Sequence, residues 1–548
     1  MDDKREDTTQ ALIESLKERY PKRGFLIHPA VKFRFSHTDG MNVVAQAPIE
    51  KGETLLVIPE DALFSVSNVM TTDNLKSLHK DILKKCHEHH PEDISLAVAI
   101  MHVLSKKNKG QAAPTSSLLE PFFLQAATWP PEEAMKESSL FYWDDCKVRN
   151  IWNKSGLTET FEGYHKIVRH VFDSVLFPLL RDDADNFIDS NLPSNNICET
   201  MTTKVALWNT FIYAYSLCWS RAHGSTNPGL VPVVELLNGN SEIVNQHAKK
   251  GKLVDKTIIN VKIAKGAWPF GRWGVYKNEC NLSCSAVYAT RDMEEGEELI
   301  ISYGEQSPLQ FMVRYGVIPN DLLTHHNIKS DVSLWCCPSF IPDHPKRVAC
   351  LRKNGYPLEE LKSNETILCE LKKDCLDNYA LGEEPDDIKR TRQMVILSVL
   401  ADDEELDRNL AIDALRGYRY QTEALQLMCK LIDYNLELLA PGMIVTSADD
   451  VESANKQDTP AWKKTALFAR VIYRENLIMW RHIIGNIEGI SHVDGNHDGD
   501  HFCLADGGCN VCGRTYPCSR CSRCKQVRYC SRGHQMLDWK FHKVNCGN

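Results

Sequence analysis

The residues best suited to chemistry lie near the far end of the chain. Cys509 and Cys512 form one C-x2-C pair, Cys521 and Cys524 a second, and Cys530, His534, His542 and Cys546 follow. A structural zinc takes four thiolate or imidazole ligands in a tetrahedron, so these eight residues supply two complete sets. Cysteines at such spacings also suit a disulfide-stapled tail. Against that, histidines fall in register with the thiols, and the charged residues 1–7 carry no apolar secretory core. Cys503 and Cys518 are left over, and Cys518 competes with Cys521 for a place. The segment is too short to bury a sufficient core, so metal would supply most of its folding energy.

A second chemistry is offered within residues 230–315. Asn238 closes an apolar run containing Val231, Val233, Val234, Leu236 and Leu237, and Tyr303 closes another, Leu299-Ile300-Ile301. Taken singly, each is an ordinary loop-edge polar residue. Together they are an amide and a phenol at the ends of buried elements, where rigid backbone can hold them against a ligand.

The order Ser220-Arg221, Leu230-Val231-Pro232, Glu235-Leu236-Leu237-Asn238, Gly296-Glu297-Glu298-Leu299, Ser302-Tyr303-Gly304 and Tyr315-Gly316 resembles the SET methyltransferase domain of the Rubisco lysine methyltransferase and actin-histidine methyltransferase class. That resemblance implies an α+β fold: a SET β-fold with a helical insertion and a C-terminal helical substrate-binding domain. It implies S-adenosylmethionine as methyl donor and a lysine or histidine side chain of a protein as acceptor, lysine by default. Tyr303 would orient the nucleophile and polarise the methyl. Asn238 would clasp the cofactor beside backbone groups of Glu235, Leu236, Leu237 and Gly239, and Arg221 would brace the pocket.

Gly40 and Asn42 fall where the family's Gly-x-Gly-x-x-Ala turn carries part of the cofactor site, with Asn42 replacing the second glycine. Gly239 replaces an expected histidine, and Ser307-Pro308 an expected Ser-Asn. These three departures support an alternative reading, a non-catalytic adaptor on a SET scaffold.

The cysteine-rich tail, with Tyr529, Gln535 and Trp539, resembles a MYND zinc finger. In that family the pairs interleave, so Cys509, Cys512, Cys530 and His534 would hold one zinc and Cys521, Cys524, His542 and Cys546 the other. His534 stands where most such fingers have cysteine. The resemblance implies peptide partners, often proline-containing.

The supporting elements follow from periodicity. Residues 8–20 read as a short helix, residues 25–64 as short strands, and residues 75–215 as mostly helical. Strands recur at 258–263 and 283–290. Helices are expected over 361–375, 387–400, 404–414, 419–439 and 460–484, with Asp402 and Thr459 as caps. The His79, His87, His89 and His90 group lacks ligand spacing and reads as a solvated helix end.

The resulting division is an N-terminal tail (1–23), two SET parts (24–72 and 220–325) around a helical insertion (73–219), a helical domain (326–490), a linker (491–508) and the finger (509–546). Residues 494–500 imitate a calcium loop, but Ala505 stands where its closing acid is needed. A net charge of -9 argues against a nucleic-acid binder overall, and the basic finger shows no base-reading element. No apolar run approaches a membrane span. Twenty cysteines without a secretory signal point to a reducing compartment, cytoplasmic or nuclear.

Overall fold

The computed structural model describes residues 4–20, 24–36, 40–70, 73–86, 90–108, 120–153, 155–188, 199–223, 228–242, 258–267, 283–319, 332–336, 367–371, 421–439, 447–456, 458–485, 519–525 and 528–529, with Gln535 and Cys546. They divide into two compact units: Met1–Tyr142 with Tyr164–Gln306, and Trp143–Gly163 with Ser307–Asn548.

The first unit opens with helix α1, Lys4–Arg19. Leu12, Ile13 and Leu16 recur at helical spacing and are buried against Val43, Leu55, Leu56, Val231, Leu299 and Ile301. The helix is therefore part of the β core. The core strands are β1 (Leu26–Ile27), β2 (Val31–Ser36), β3 (Gly40–Ala45), β4 (Thr54–Pro59), β5 (Phe64–Ser65), β6 (Gly229–Leu230), β7 (Asn238–Asn240), β8 (Val261–Ala267), β9 (Ser283–Ala289) and β10 (Ile300–Ser302). Strands β1, β4, β9 and β8 form an antiparallel sheet in that order, β2 and β3 a hairpin, and β5 pairs with β6. β4 is buried at every position, which its unbroken apolar run Leu55-Leu56-Val57-Ile58 requires. β7 and β10 pair in parallel, Ile300 opposite Asn238, Ile301 opposite Gly239 and Ser302 opposite Asn240.

The helical part of this unit includes α2 (Asp73–Lys85), α3 (Pro91–Asn108), α4 (Glu120–Thr128) and α5 (Glu199–Arg221). Its core is aromatic, with Phe64 edge-on to Phe122 and Phe172 stacked on Phe211. His79 bonds Ser95 Oγ at 2.8 Å, and exposed His90 precedes the start of α3; His87 and His89 lie outside the described residues.

In the second unit, α6 (Pro308–Tyr315) begins with Ser307 as cap. Strands β11 (Val332–Cys336) and β12 (Ile367–Leu371) pair antiparallel. Helices α7 (Gln421–Leu439), α8 (Ser447–Ala454) and α9 (Ala461–Gly485) follow. Trp152, fully buried on the short helix Asp145–Trp152, donates its indole N–H to the Ala466 carbonyl at 2.7 Å. Asp450, also buried, accepts from both Arg470 and Arg474. Strands β13 (Ser519–Arg520) and β14 (Arg528–Tyr529) pair around the second C-x2-C pair.

Three expectations need correction. Residues 367–371 are strand, because Ile-Leu-Cys-Glu-Leu completes a ladder with β11, and a distant partner outweighs local helical spacing. Thr459 does not cap α9: its hydroxyl donates back to the Ser453 carbonyl at 2.9 Å, while Pro460 accepts the first helical bond from Lys464. Gly40 and Asn42 are not in a turn but in β3, opposite Ser36 and Arg34, and Asn42 has no left-handed backbone. The expected helices at 387–400 and 404–414, Asp402 and the linker lie outside the described residues. No described helix is long and apolar enough to cross a membrane.

Candidate functional site

The site is assembled where the chain turns into β7. Pro232, Val233 and Val234 make a three-residue γ-turn: Val234 N–H donates to the Pro232 carbonyl at 2.8 Å, and Val233 has φ +69°. A β-branched residue in that region is strained, and complete burial of Val233 holds it there. Residues 234–236 then form one 3-10 turn, with Leu236 and Leu237 buried in the core, and Asn238 begins β7.

Parallel pairing places Tyr303, just past β10, against this strand. Tyr303 N–H donates to the Asn240 carbonyl at 3.0 Å, and its phenol O–H to the Leu237 carbonyl at 3.4 Å. The next residue, Gly304, turns the chain at φ +82°. The Tyr303 ring lies on Gly239. A Cβ at position 239 would fall 2.3–2.5 Å from three ring atoms, so even alanine is incompatible with this ring position. With the ring there, position 239 has no room for the expected histidine.

The Asn238 amide is held from two sides. Its Nδ2 donates to Asn42 Oδ1 at 2.8 Å and to Glu298 Oε1 at 2.7 Å. Asn42, which departs from the family's glycine, thus reaches the site through its side chain. Gly40 begins the same strand, two residues away. The third departure also has a local cause: Ser307 and Gln310 form a capping box and Pro308 occupies the first turn of α6.

Arg221, the last residue of α5, donates Nη1–H to the Glu235 carbonyl at 2.7 Å, bracing the turn before β7. The Glu235 carboxyl is buried; its Oε1 accepts from Gln125 Nε2 at 2.7 Å and Trp129 Nε1 at 3.3 Å, while Oε2 has no partner among the described residues. Burial pushes this carboxyl up to about 7, opposed by the Arg221 charge and the two donors. Burial likewise raises the Tyr303 phenol, with Arg221 working against the rise and Glu298 adding to it. The phenol therefore stays protonated at neutral pH.

Sequence reasoning missed Gln125 and Trp129, and it gave no role to Glu298 or Asn260. Buried Asn260 donates to the Glu298 carbonyl at 2.7 Å and accepts from Ile300 N–H at 2.8 Å, acting as a rung where the ladder is interrupted. The signal was a lone amide inside Ile258-Ile259-Asn260-Val261. A cleft of about 510 Å³ in the second unit, lined by Lys147, Asp450, Trp462 and Arg470 among others, contains none of the predicted site residues.

In the finger, Cys521, Cys524 and Cys546 sulfurs lie within 4.8 Å of one another. Zn–S bonds of about 2.3 Å in a tetrahedron give sulfur–sulfur edges of about 3.8 Å. The Cys521 and Cys546 sulfurs are 3.8 Å apart, which fits zinc and is far too long for a disulfide. Lys525, with φ +61°, returns its N–H to the Cys521 carbonyl at 3.0 Å, folding the C-x2-C knuckle. Backbone N–H groups of Cys524 and Arg523 lower the Cys521 thiol to about 7, favouring the ligating thiolate. Cys509, Cys512, Cys530, His534 and His542 lie outside the described residues.

Comparison with known proteins bears on the fold and on the finger. The first structure, Rubisco LSMT bound to AdoMet, superposes with a TM-score of 0.54 at 16% identity, covering 87% of this chain and 91% of that one. The SET domain of LSMT bound to lysine and AdoHcy gives 0.53 at 14%, covering 88% and 90%. The fold is therefore that of the SET-domain methyltransferases.

Residues 509–546 match the family model of the MYND finger. Programmed cell death protein 2 of Mus musculus is 56% identical over 39 residues, covering 7% of this chain and 11% of that protein. Ubiquitin carboxyl-terminal hydrolase 19 of Arabidopsis thaliana is 47% identical over 57 residues, 10% and 8%. Egl nine homolog 1 of Homo sapiens is 47% identical over 38 residues, 7% and 9%. The chain thus spans only about a tenth of the length of these curated relatives.

Two expectations follow. Alanine at Gly239 must displace the Tyr303 ring, and such overpacking costs about 1–3 kcal/mol. In a Tyr303→Ala background the same change should cost much less, a coupling that denaturant unfolding of the four proteins measures. Glu235 keeps its proton up to about pH 7 when folded, against an ordinary value of 4.5. Between those pH values the folded state binds more protons than the unfolded one, so stability falls as pH rises through the window. Glu235→Gln should flatten that fall, a difference on the order of 3 kcal/mol between about pH 5 and pH 8 in unfolding experiments.

Proposed function

We propose that this protein is an S-adenosylmethionine-dependent protein methyltransferase, lysine-directed, whose C-terminal finger binds two zinc ions and recruits peptide partners. The observation that carries the reading is the parallel pairing of β7 with β10, which brings the Asn238 amide and the Tyr303 phenol to neighbouring positions. Solved proteins of this fold bind AdoMet, AdoHcy and lysine, which supports the same ligand classes here.

When bound, S-adenosylmethionine supplies an electrophilic methyl on a sulfonium sulfur. Both Asn238 N–H bonds are committed to Asn42 and Glu298, so Oδ1 is the atom the amide offers a ligand; an acceptor suits the ammonium of an amino-acid moiety. The backbone at Glu235 to Gly239, braced by Arg221, supplies fixed polar groups beside it. A lysine amine, with a reference pKa of about 10.4, must shed its proton to become a nucleophile, and desolvation beside a positive sulfur favours the neutral form. Tyr303, kept as a neutral phenol, orients that amine and does not act as the base. A neutral amine held there by Tyr303 would receive the methyl that a cofactor held by Asn238 and the backbone at 235–239 supplies, and the amine's surplus proton would leave to water. Placement of the reacting groups supplies much of the acceleration.

The adaptor alternative draws on Asn42, Gly239 and Pro308. Each of these has a local structural account above, namely an added amide bond, room for a ring and a helix start. That pattern favours a site adjusted around its own residues over one decayed.

Zinc-replete protein should bind S-adenosylhomocysteine in calorimetry and transfer labelled methyl to lysine in a cell extract. Tyr303→Phe should lower transfer by about 10²-fold or more while leaving cofactor affinity within a few-fold. No detectable cofactor binding would sink the reading. Elemental analysis should find two zinc ions per chain, falling to one in Cys521→Ser; a single ion in the unaltered protein would contradict the two-site finger.

A further inference from the structure

Glu298 bonds the same amide nitrogen as Asn42, but the two contacts are not equivalent. Asn42 could present either face of its own amide, so by itself it does not fix which way Asn238 points. An ionised carboxylate only accepts, so Glu298 compels Asn238 to turn Nδ2 toward it, and Oδ1 must face the other way. The backbone carrying Glu298 has little freedom. Its carbonyl accepts from buried Asn260, Leu299 N–H donates to the Val43 carbonyl at 2.8 Å, and Ala45 N–H donates to the Glu297 carbonyl at 2.8 Å. The carboxylate therefore reaches Asn238 from a peptide held by β3 on one side and Asn260 on the other.

We infer that Glu298 is a positioning residue of the cofactor site: its carboxylate sets the Asn238 amide so that an acceptor oxygen is turned toward the ligand's ammonium. The inference rests on the methyltransferase reading and adds to it a residue whose carboxylate selects the orientation of the amide. Its charge also acts on Tyr303, where it adds to the effect of burial in keeping the phenol protonated. One side chain thus serves the binding group and the reacting group together.

The plain alternative is that Glu298 merely cross-links three segments of chain, through residues 42, 238 and 298. Comparing Glu298→Gln with Glu298→Ala in the full-length, zinc-replete protein separates the two. Glutamine keeps the same reach and can still cross-link the three segments, but its amide, like that of Asn42, can present an acceptor or a donor and no longer fixes which way Asn238 points; alanine removes both the link and the constraint. The expected result is S-adenosylhomocysteine affinity about ten-fold weaker than the parent for both variants, about 1.4 kcal/mol, with glutamine keeping the parent's thermal stability. Thermal melts of both variants check that each remains folded. Either variant binding as tightly as the parent overturns the positioning role and leaves the methyltransferase reading intact. A parent protein that binds no S-adenosylhomocysteine overturns both.

Discussion

The constraint on which the first unit's site depends is a parallel pairing only three residues long. β7 and β10 are 62 positions apart at their paired first residues, Asn238 and Ile300. A three-rung ladder is too small to fix side-chain positions by itself, since each hydrogen bond contributes only about 0.5–1.5 kcal/mol net. The remaining rigidity comes from side chains bonding backbone. Asn260 replaces the rungs around Glu298 and Ile300, Arg221 holds the Glu235 carbonyl, and Ser241 Oγ reaches the Gln306 carbonyl at 2.6 Å. Leaving any of these buried groups unpaired would cost more than the bond contributes when made, which makes the arrangement resistant to drift.

How far the sequence disclosed this arrangement depended on the kind of interaction. Asn238 and Tyr303 were visible because each closes an apolar run, and burial patterns are local. The strands β4, β8 and β9 were visible for the same reason. Their partners were not: Asn42 lies 196 residues before Asn238, and Gln125 lies 110 before Glu235. Hydrogen-bond complementarity across such distances leaves no periodic trace. Residues 367–371 show the limit from the other direction, because a helix-compatible apolar spacing was overruled by pairing with β11. The N-terminal helix was legible as a helix, but its place in the β core depends on what faces Leu12 and Leu16.

Departures from a family pattern carry different weight once their surroundings are visible. Taken alone, a missing histidine at 239 and a missing glycine at 42 both subtract contacts. In the folded chain the first is the condition for Tyr303 to lie where it does, and the second adds an acceptor to the Asn238 amide. Neither change is separable from its partner, so substituting the family's usual residue at one position would disturb a contact elsewhere. Non-additivity of this kind is what neighbouring residues generally show.

The finger follows a different physical logic. In the first unit, apolar burial creates the frame and polar groups are fitted to it, whereas at Cys521, Cys524 and Cys546 the frame is the ligand set. A hairpin of two-residue strands and a left-handed Lys525 bring three sulfurs to a spacing suited to one ion. Thiols gathered so closely resist ionising together, because each thiolate formed raises the cost of the next; Cys546 is pushed up to about 11, by burial first and then by its neighbours. A divalent cation reverses that balance, turning mutual repulsion into shared attraction. The same sulfur cluster that burdens a metal-free chain thereby becomes the source of the finger's stability, which is why its folding should follow zinc while the frame around Asn238 and Tyr303 stands on burial and its own hydrogen bonds.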